Sequence, residues 1–230
     1  MQVQPNKNTR FYEYLQSQLP VFRQVLDDSC VAQRRFAAGE WLLTQGQKVD
    51  HLYVVSVGRV SMNITVASGK RFQLGEVQCD DHIFGEMEFF TQILCQWNVV
   101  AEEDIDVAVI SAARLSQAML HSPEITMFFA SALAEDYQDS LNIYTQRLLW
   151  PIMYNIAYDL WVRHQSDVVL GGFERIDSEA ERFGTTSRVY RRAVKALLDR
   201  GLVVKHGHHL AIGDLSKLKA FLDDKIDSDD

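Results

Sequence analysis

The chain has 230 residues, 47% of them hydrophobic, enough for one large domain or two small ones around a buried core. No run approaches the ~20 uninterrupted apolar residues of a membrane span, and the opening MQVQPNKNTR lacks the apolar stretch of a secretion signal, so a cytoplasmic protein with no membrane partner is expected. The formal net charge of −8 argues against a polyanion binding the chain as a whole, and Cys30, Cys79 and Cys95 form no CxxC pair, which leaves neither a disulfide framework nor a zinc ribbon in the text.

From about Phe36 to Ile110, short apolar or alternating runs are separated by glycines, as in LYVVSVGRVSMNITV, and this pattern predicts an antiparallel β domain with a hairpin tip at Ser68-Gly69. Asn63-Ile64-Thr65 matches a glycosylation acceptor, but no secretory context supports it. The character changes at about Ser111. Pro123 can open a helix, and no further Pro or Gly occurs before Pro151, so a helix of roughly 25 residues is predicted. Along it Ala130, Leu133, Tyr137, Leu141, Tyr144 and Leu148 recur at steps of three and four, a stripe that suits a symmetric helix pair in a homodimer. The stripe could instead pack on the chain's own β domain. Pro151 breaks the path before a second apolar helix, MYNIAYDLWVRH, which Gly171-Gly172 ends.

Ser178-Glu179-Ala180-Glu181 satisfies the capping-box pattern and predicts the start of a short helix, closed by Phe183-Gly184. Thr186 then caps a second helix from about Ser187 to Asp199, giving helix, turn, helix. The expected buried set is Ala180, Phe183, Tyr190, Val194, Leu197 and Leu198, while Ser187, Arg188, Arg191, Arg192 and Lys195 share the opposite face. Arg188 and Arg192, one turn apart, suit bidentate reading of guanine in the major groove; Thr186, Arg191 and Lys195 suit phosphate contacts. Between Arg175 and Lys205 eight basic residues face four acidic ones, so this segment is locally positive despite the net charge. Beyond Gly201, LVVK and HLAI flank a turn at His206-Gly207-His208, as in a β wing; these histidines lack a spaced carboxylate or thiol, so no metal site is expected. The acidic end, Asp223 to Asp230, reads as a solvated tail. No Ser/His/Asp order, Gly-rich phosphate loop, HExxH or paired-carboxylate signal occurs, so no catalytic residues are expected.

From about residue 20 to 222 the chain resembles the cyclic-AMP receptor protein/FNR (CRP/FNR) family of bacterial transcription regulators. Phe36-Ala37-Ala38-Gly39-Glu40-Trp41-Leu42 to Gly46, Leu52-Tyr53-Val54-Val55 to Gly58-Arg59-Val60, and Phe84-Gly85-Glu86 resemble its β-roll and ligand-cassette motifs. Phe183-Gly184-Thr185-Thr186-Ser187-Arg188 to Arg192-Ala193-Val194, with Gly201-Leu202-Val203, is similar to its winged helix-turn-helix. The resemblance implies an α+β protein: an antiparallel β-roll of cyclic-nucleotide-binding, jelly-roll type, a long dimerisation helix, and a C-terminal winged helix-turn-helix. The corresponding division is 1–110 for N-terminal helices and the β-roll sensor, 111–150 for a short helix and the dimerisation helix, 151–222 for the DNA-binding domain, and 223–230 for the acidic tail.

In cyclic-nucleotide binders of this family the cassette continues from Gly-Glu to an Arg-Ser pair that holds the cyclic phosphate; here those places fall at Gln96 and Trp97. Glutamine cannot neutralise a phosphate and tryptophan fills the space it needs, so no useful cyclic-AMP affinity is expected. Gly85 and Glu86 then read as a structural turn whose carboxylate pairs with local backbone. Gly85, Glu86, Gln96 and Trp97 define the expected effector pocket, which Trp97 would plug. Iron-sulfur members of the family carry an N-terminal cysteine cluster, whereas only Cys30 lies there, and haem ligation would fall to Cys79 or His82; no cofactor is expected. Two departures bear on the DNA domain: Glu179 stands before Ala180 where the family has a large apolar residue, and Ser187-Arg188 stands where it often has Arg-Glu, while Arg192 matches the family's base-reading arginine. The expected partners are a palindromic double-stranded DNA operator, a second copy of the chain, RNA polymerase and a small-molecule effector of unknown identity. The rival reading is a sensor or scaffold of the same fold that works through protein contacts.

Overall fold

A computed structural model describes residues 1–69, 71–165, 175–207 and 209–226. By contacts the chain divides into two units, Met1–Ile64 with Gln78–Leu141, and Thr65–Val77 with Asn142–Asp230.

The first unit opens with α1 (Tyr12–Ser29), whose Leu15, Leu19, Phe22 and Leu26 fall at steps of four, three and four and are all buried. Six strands follow: β1 (Cys30–Phe36), β2 (Trp41–Leu43), β3 (His51–Thr65), β4 (Arg71–Phe84), β5 (Asn98–Ala101) and β6 (Ile105–Ser111). They form one sheet in the order β1-β6-β3-β5-β2, with β4 paired to β3, and the registered pairs are antiparallel. This is the expected β-roll, with the hairpin turn at Ser68-Gly69 between β3 and β4. Asn63 is buried in it and accepts a 3.0 Å hydrogen bond from Asn98 Nδ2, which removes it from any surface modification.

A short helix α2 (Glu86–Thr91) links β4 to β5. After β6 come α3 (Ala112–His121), a 3-10 turn opened by Pro123, and the long α4 (Thr126–Leu149). Aromatic packing fixes the start of α4: Phe22 stacks on Phe128 at 4.3 Å and meets Phe129 edge-on at 5.6 Å. Such pairs add about 0.5–1.5 kcal/mol each beyond the area they bury.

The second unit has its own core. Helices α5 (Ile152–Gln165), α6 (Ile176–Arg182), α7 (Ser187–Asp199) and α8 (Leu215–Ile226) surround a cluster that includes Ile156, Leu160, Ala180, Tyr190, Val194, Leu197, Leu202 and Leu218. β7 (Val203–His206) and β8 (His209–Ile212) pair antiparallel as the wing. Helix α6 begins two residues before the Ser178 capping pattern. The Glu179 amide bonds to the Arg175 carbonyl at 3.0 Å, so the helix reaches back to Ile176 without any side-chain cap. Leu198, placed in the core by spacing, is half-buried, and Ala193 is buried instead. Of the acidic tail, Asp223 and Asp224 belong to α8; the expectations for Gly171-Gly172, His208 and residues 227–230 lie outside the described residues.

Candidate nucleic-acid interface

Helix α7 is set by the end of α6 and by its own cap. At the close of α6, Thr185 N–H bonds to the Ala180 carbonyl at 2.9 Å and Gly184 N–H to the Glu181 carbonyl at 3.0 Å, with Gly184 at φ +62°, the left-handed backbone this two-bond stop requires. Thr186, extended, starts α7: its hydroxyl oxygen accepts the Val189 N–H at 3.4 Å. Tyr190, Ala193, Val194 and Leu197 turn inward, and Thr186, Arg188, Arg191, Arg192 and Lys195 are exposed. Ser187 is differently placed. Its hydroxyl donates to the Asp177 carboxylate in the first turn of α6, so it ties the two helices together at their N-terminal ends.

The charges on α7 are concentrated on one face. Some surface cations of the chain sit beside a carboxylate: Arg23 with Asp81 at 2.6 Å, Lys48 with Asp50 at 2.9 Å, Arg59 with Glu103 at 3.0 Å. None of Arg188, Arg191, Arg192 and Lys195 has such a partner among the described residues. At positions i, i+3, i+4 and i+7 they occupy one face, which leaves four solvated cations on about two turns of helix.

Behind this face lies a buried ionic cluster that spacing could not reveal. Arg182, 1% exposed, makes two parallel hydrogen bonds to Asp159 of α5 at 2.7 and 2.8 Å and two to Glu179 at 2.9 and 3.0 Å. The Tyr190 hydroxyl donates to Glu179 at 3.5 Å, and Arg163 also pairs with Asp159. Burial pushes Asp159 up, but Arg182 and then Arg163 overcome it and hold the carboxyl below its ordinary value. Glu179, which departs from the family pattern, therefore serves as the partner of a buried arginine.

The residues of the expected effector pocket lie in the first unit. Gly85 holds φ +94° where a Cβ would come within 3.2 Å of Val49 Cγ1, so the turn into α2 needs glycine. Glu86 is buried, and its carboxylate pairs with the α-amino group of Met1 at 2.9 Å rather than with nearby backbone. Burial lowers the pKa of that ammonium, but the carboxylates of Glu86 and Asp136 outweigh burial and hold it above its ordinary value. Gln96 is exposed and Trp97 half-buried. A second buried carboxylate, Glu88, accepts the Gln96 backbone N–H at 3.3 Å. The amide at the place of the family's arginine is thus already occupied by an anion.

Burial pushes the Cys79 thiol up to about 12, and His82 Nδ1 accepts the Asp80 N–H at 3.0 Å. Burial, then the nearby Met1 ammonium, pushes the His82 imidazole down to about 4. Burial likewise raises the Cys95 thiol, to about 11.

The proposed seam on α4 is largely open. Ala130 is exposed, as are Tyr137 at 66%, Leu141 at 40%, Tyr144 at 41% and Leu148 at 84%. Leu133 instead packs half-buried against the chain's own core, and exposed Ala134 takes the next place on the open stripe. With Ala134 the spacing runs four, three, four, three, four from Ala130 to Leu148, the step pattern of a two-helix seam.

Residues 33–122 match the cyclic nucleotide-binding domain family. No curated protein sequence matches the chain. Among solved structures, the c-di-GMP responsive global regulator CLP of Xanthomonas campestris superposes with a TM-score of 0.70 at 18% identity, over 85% of this chain and 99% of that one. A CooA mutant from Carboxydothermus hydrogenoformans gives 0.66 at 18% identity, over 96% and 99%. A CRP/FNR-family transcriptional regulator from Thermus thermophilus gives 0.65 at 18% identity, over 84% and 98%. The chain has the fold of CRP/FNR transcription regulators, with a cyclic-nucleotide-binding type β-roll in its N-terminal half. No helix among the described residues is long and apolar enough to cross a membrane.

Proposed function

We propose that this chain, which has the CRP/FNR fold, is a sequence-specific DNA-binding transcription regulator that acts as a homodimer in the cytoplasm, without catalysis and without response to cyclic AMP. The observation that carries the reading is the exposed face of α7, where Arg188, Arg191, Arg192 and Lys195 gather on about two turns of one helix, without carboxylate partners among the described residues, in a protein whose net charge is −8. A duplex supplies the missing anions. Arg188 and Arg192 reach base edges, Arg191, Lys195 and the Thr186 hydroxyl meet phosphates, and the wing adds Lys205 along the backbone. Ser187 serves mainly to fix α7 through Asp177.

Two copies paired along Ala130, Ala134, Tyr137, Leu141, Tyr144 and Leu148 present two such faces to successive major grooves, about 34 Å apart on a roughly palindromic site. Cyclic AMP is excluded by charge. Its phosphate would find neutral Gln96 where the arginine of the binders stands, with the buried carboxylate of Glu88 on the Gln96 backbone N–H. RNA polymerase and an effector of different chemistry complete the expected set of partners.

The test is the salt dependence of binding to labelled duplex DNA. Neutralising phosphates releases counterions, so log affinity falls linearly with log salt, with a slope of about −0.9 per phosphate contact. A second reading, a module that works through protein contacts, draws on the exposed Met87, Phe90, Ile93 and Leu94 at and beyond α2. Absent or salt-independent binding would favour it.

A further inference from the structure

Arg147, in the last turn of α4, is held in an unusual way. Its guanidinium lies 5.7 Å from the ring centroid of Phe72, in the β3–β4 hairpin, and 5.6 Å from that of Phe183, the C-cap of α6. Its Nη1 is buried without a hydrogen-bond partner among the described residues. Burial, with Arg182 close by, pushes its pKa down to about 10. Arg182, the other arginine on the Phe183 ring at 4.5 Å, is fully matched by two carboxylates. Arg147 is instead held largely by ring faces, and a cation between two aromatic faces gains from both quadrupoles while staying free to slide. All of these residues belong to the second unit, which includes Thr65–Val77 of the hairpin.

The contact sits at a sensitive place. Phe183 immediately precedes the Gly184 turn, and its ring stacks on Tyr190 of α7 at 5.8 Å with 25° between planes. Phe72 also meets Tyr144 at 6.4 Å, which anchors the hairpin on the same turns of α4. A continuous stack therefore runs from Phe72 through Arg147 and Phe183 to Tyr190. Whatever fixes Phe183 fixes the direction in which α7 leaves the turn.

We propose that Arg147 and Phe72 are positioning residues for DNA reading: the Phe72–Arg147–Phe183 stack sets the orientation of α7, although neither Arg147 nor Phe72 lies on its exposed cationic face. The DNA arm of the test rests on the function proposed above, and the hydrogen-exchange arm does not.

The full-length protein is compared with Phe72→Leu, Arg147→Met, Arg147→Lys and the double variant Phe72→Leu/Arg147→Met. Hydrogen exchange is followed over residues 176–190 and, as a folding control, over the first unit. Phe72→Leu and Arg147→Met should each exchange faster over 176–190 with the first unit unchanged, and Arg147→Lys should rescue only in part, because an ammonium cannot spread over two rings. On duplex DNA each should lose about tenfold in affinity with the salt slope unchanged, and the double variant should lose no more than the worse single, since the pair acts as one contact. Unchanged exchange in both variants would overturn the proposal. So would an Arg147→Met loss accompanied by a slope smaller by about one, the mark of a direct phosphate contact. A wild-type protein that ignores DNA would refute the functional reading, and exchange would then decide on the stack alone.

Discussion

Arg182 and Asp159, 23 positions apart, meet through two parallel hydrogen bonds of 2.7 and 2.8 Å and lock α6 onto α5 behind α7. Glu179 closes the cluster from the other side. A buried arginine between two carboxylates costs desolvation, but removing one member leaves a charge without its partner.

Asp159→Asn or Arg182→Met should therefore destabilise the second unit by about 3–5 kcal/mol. Chemical denaturation followed by tryptophan fluorescence measures it, since Trp150 and Trp161 pack against that core. A loss under about 1 kcal/mol would mean that the cluster relaxes into solvent.

The same cluster gives a pH dependence. The folded-state pKa of Asp159 is depressed below its ordinary 3.8, so its stabilisation is complete well above that value and is lost as pH falls through the folded pKa. Acidification below about pH 4 should lower the melting temperature of the second unit, and Asp159→Asn should flatten that limb of the profile. A wild-type profile no steeper than that of the variant would contradict the assignment.

On α4, Leu148→Glu and Tyr137→Glu should shift the protein from dimer to monomer in sedimentation at micromolar concentration, with each unit still folded. Leu133→Ala should act in the opposite way, costing about 2 kcal/mol in the first unit and leaving the dimer intact. Dimers that survive both glutamates would remove α4 from the interface.

Cyclic AMP at millimolar concentration should leave the melting temperature unchanged, because a ligand stabilises only in proportion to its occupancy. Gln96→Arg with Trp97→Ser should still fail, since the Glu88 carboxylate holds the Gln96 backbone amide. Adding Glu88→Gln should produce a measurable upward shift. Binding by the wild-type chain would refute the electrostatic argument. Trp97→Ala tests the plug separately: unchanged DNA affinity and unchanged melting temperature together would exclude it.

Much of this was legible along the chain because it is local. The 3.6-residue periodicity of α7 and its cap at Thr186 fix a helix from Ser187 to Asp199, and the text between Pro123 and Pro151 bounds the long helix. Spacing could not choose between Leu133 and Ala134, since both continue steps of three and four from Ala130, and only packing against α1 and the β-roll draws Leu133 inward. Nor could it pair Glu86 with Met1, 85 positions away, or explain Glu179 without Asp159. Buried polar partners set by tertiary contact leave no periodic trace in sequence, which is why Arg182 reads as a surface arginine until α5 is folded against it.

The central claim, that α7 reads DNA through its unpaired cationic face, is tested most directly by selecting bound sequences from a random duplex pool over a salt series, with the wild-type protein and with Arg188→Ala and Arg192→Ala. The account predicts enrichment of a two-fold symmetric site by the wild type and relaxed preference at one position per half-site in each variant, at a cost of about 1–3 kcal/mol. Identical enriched sites from all three proteins would contradict it, as would no enrichment at any salt concentration.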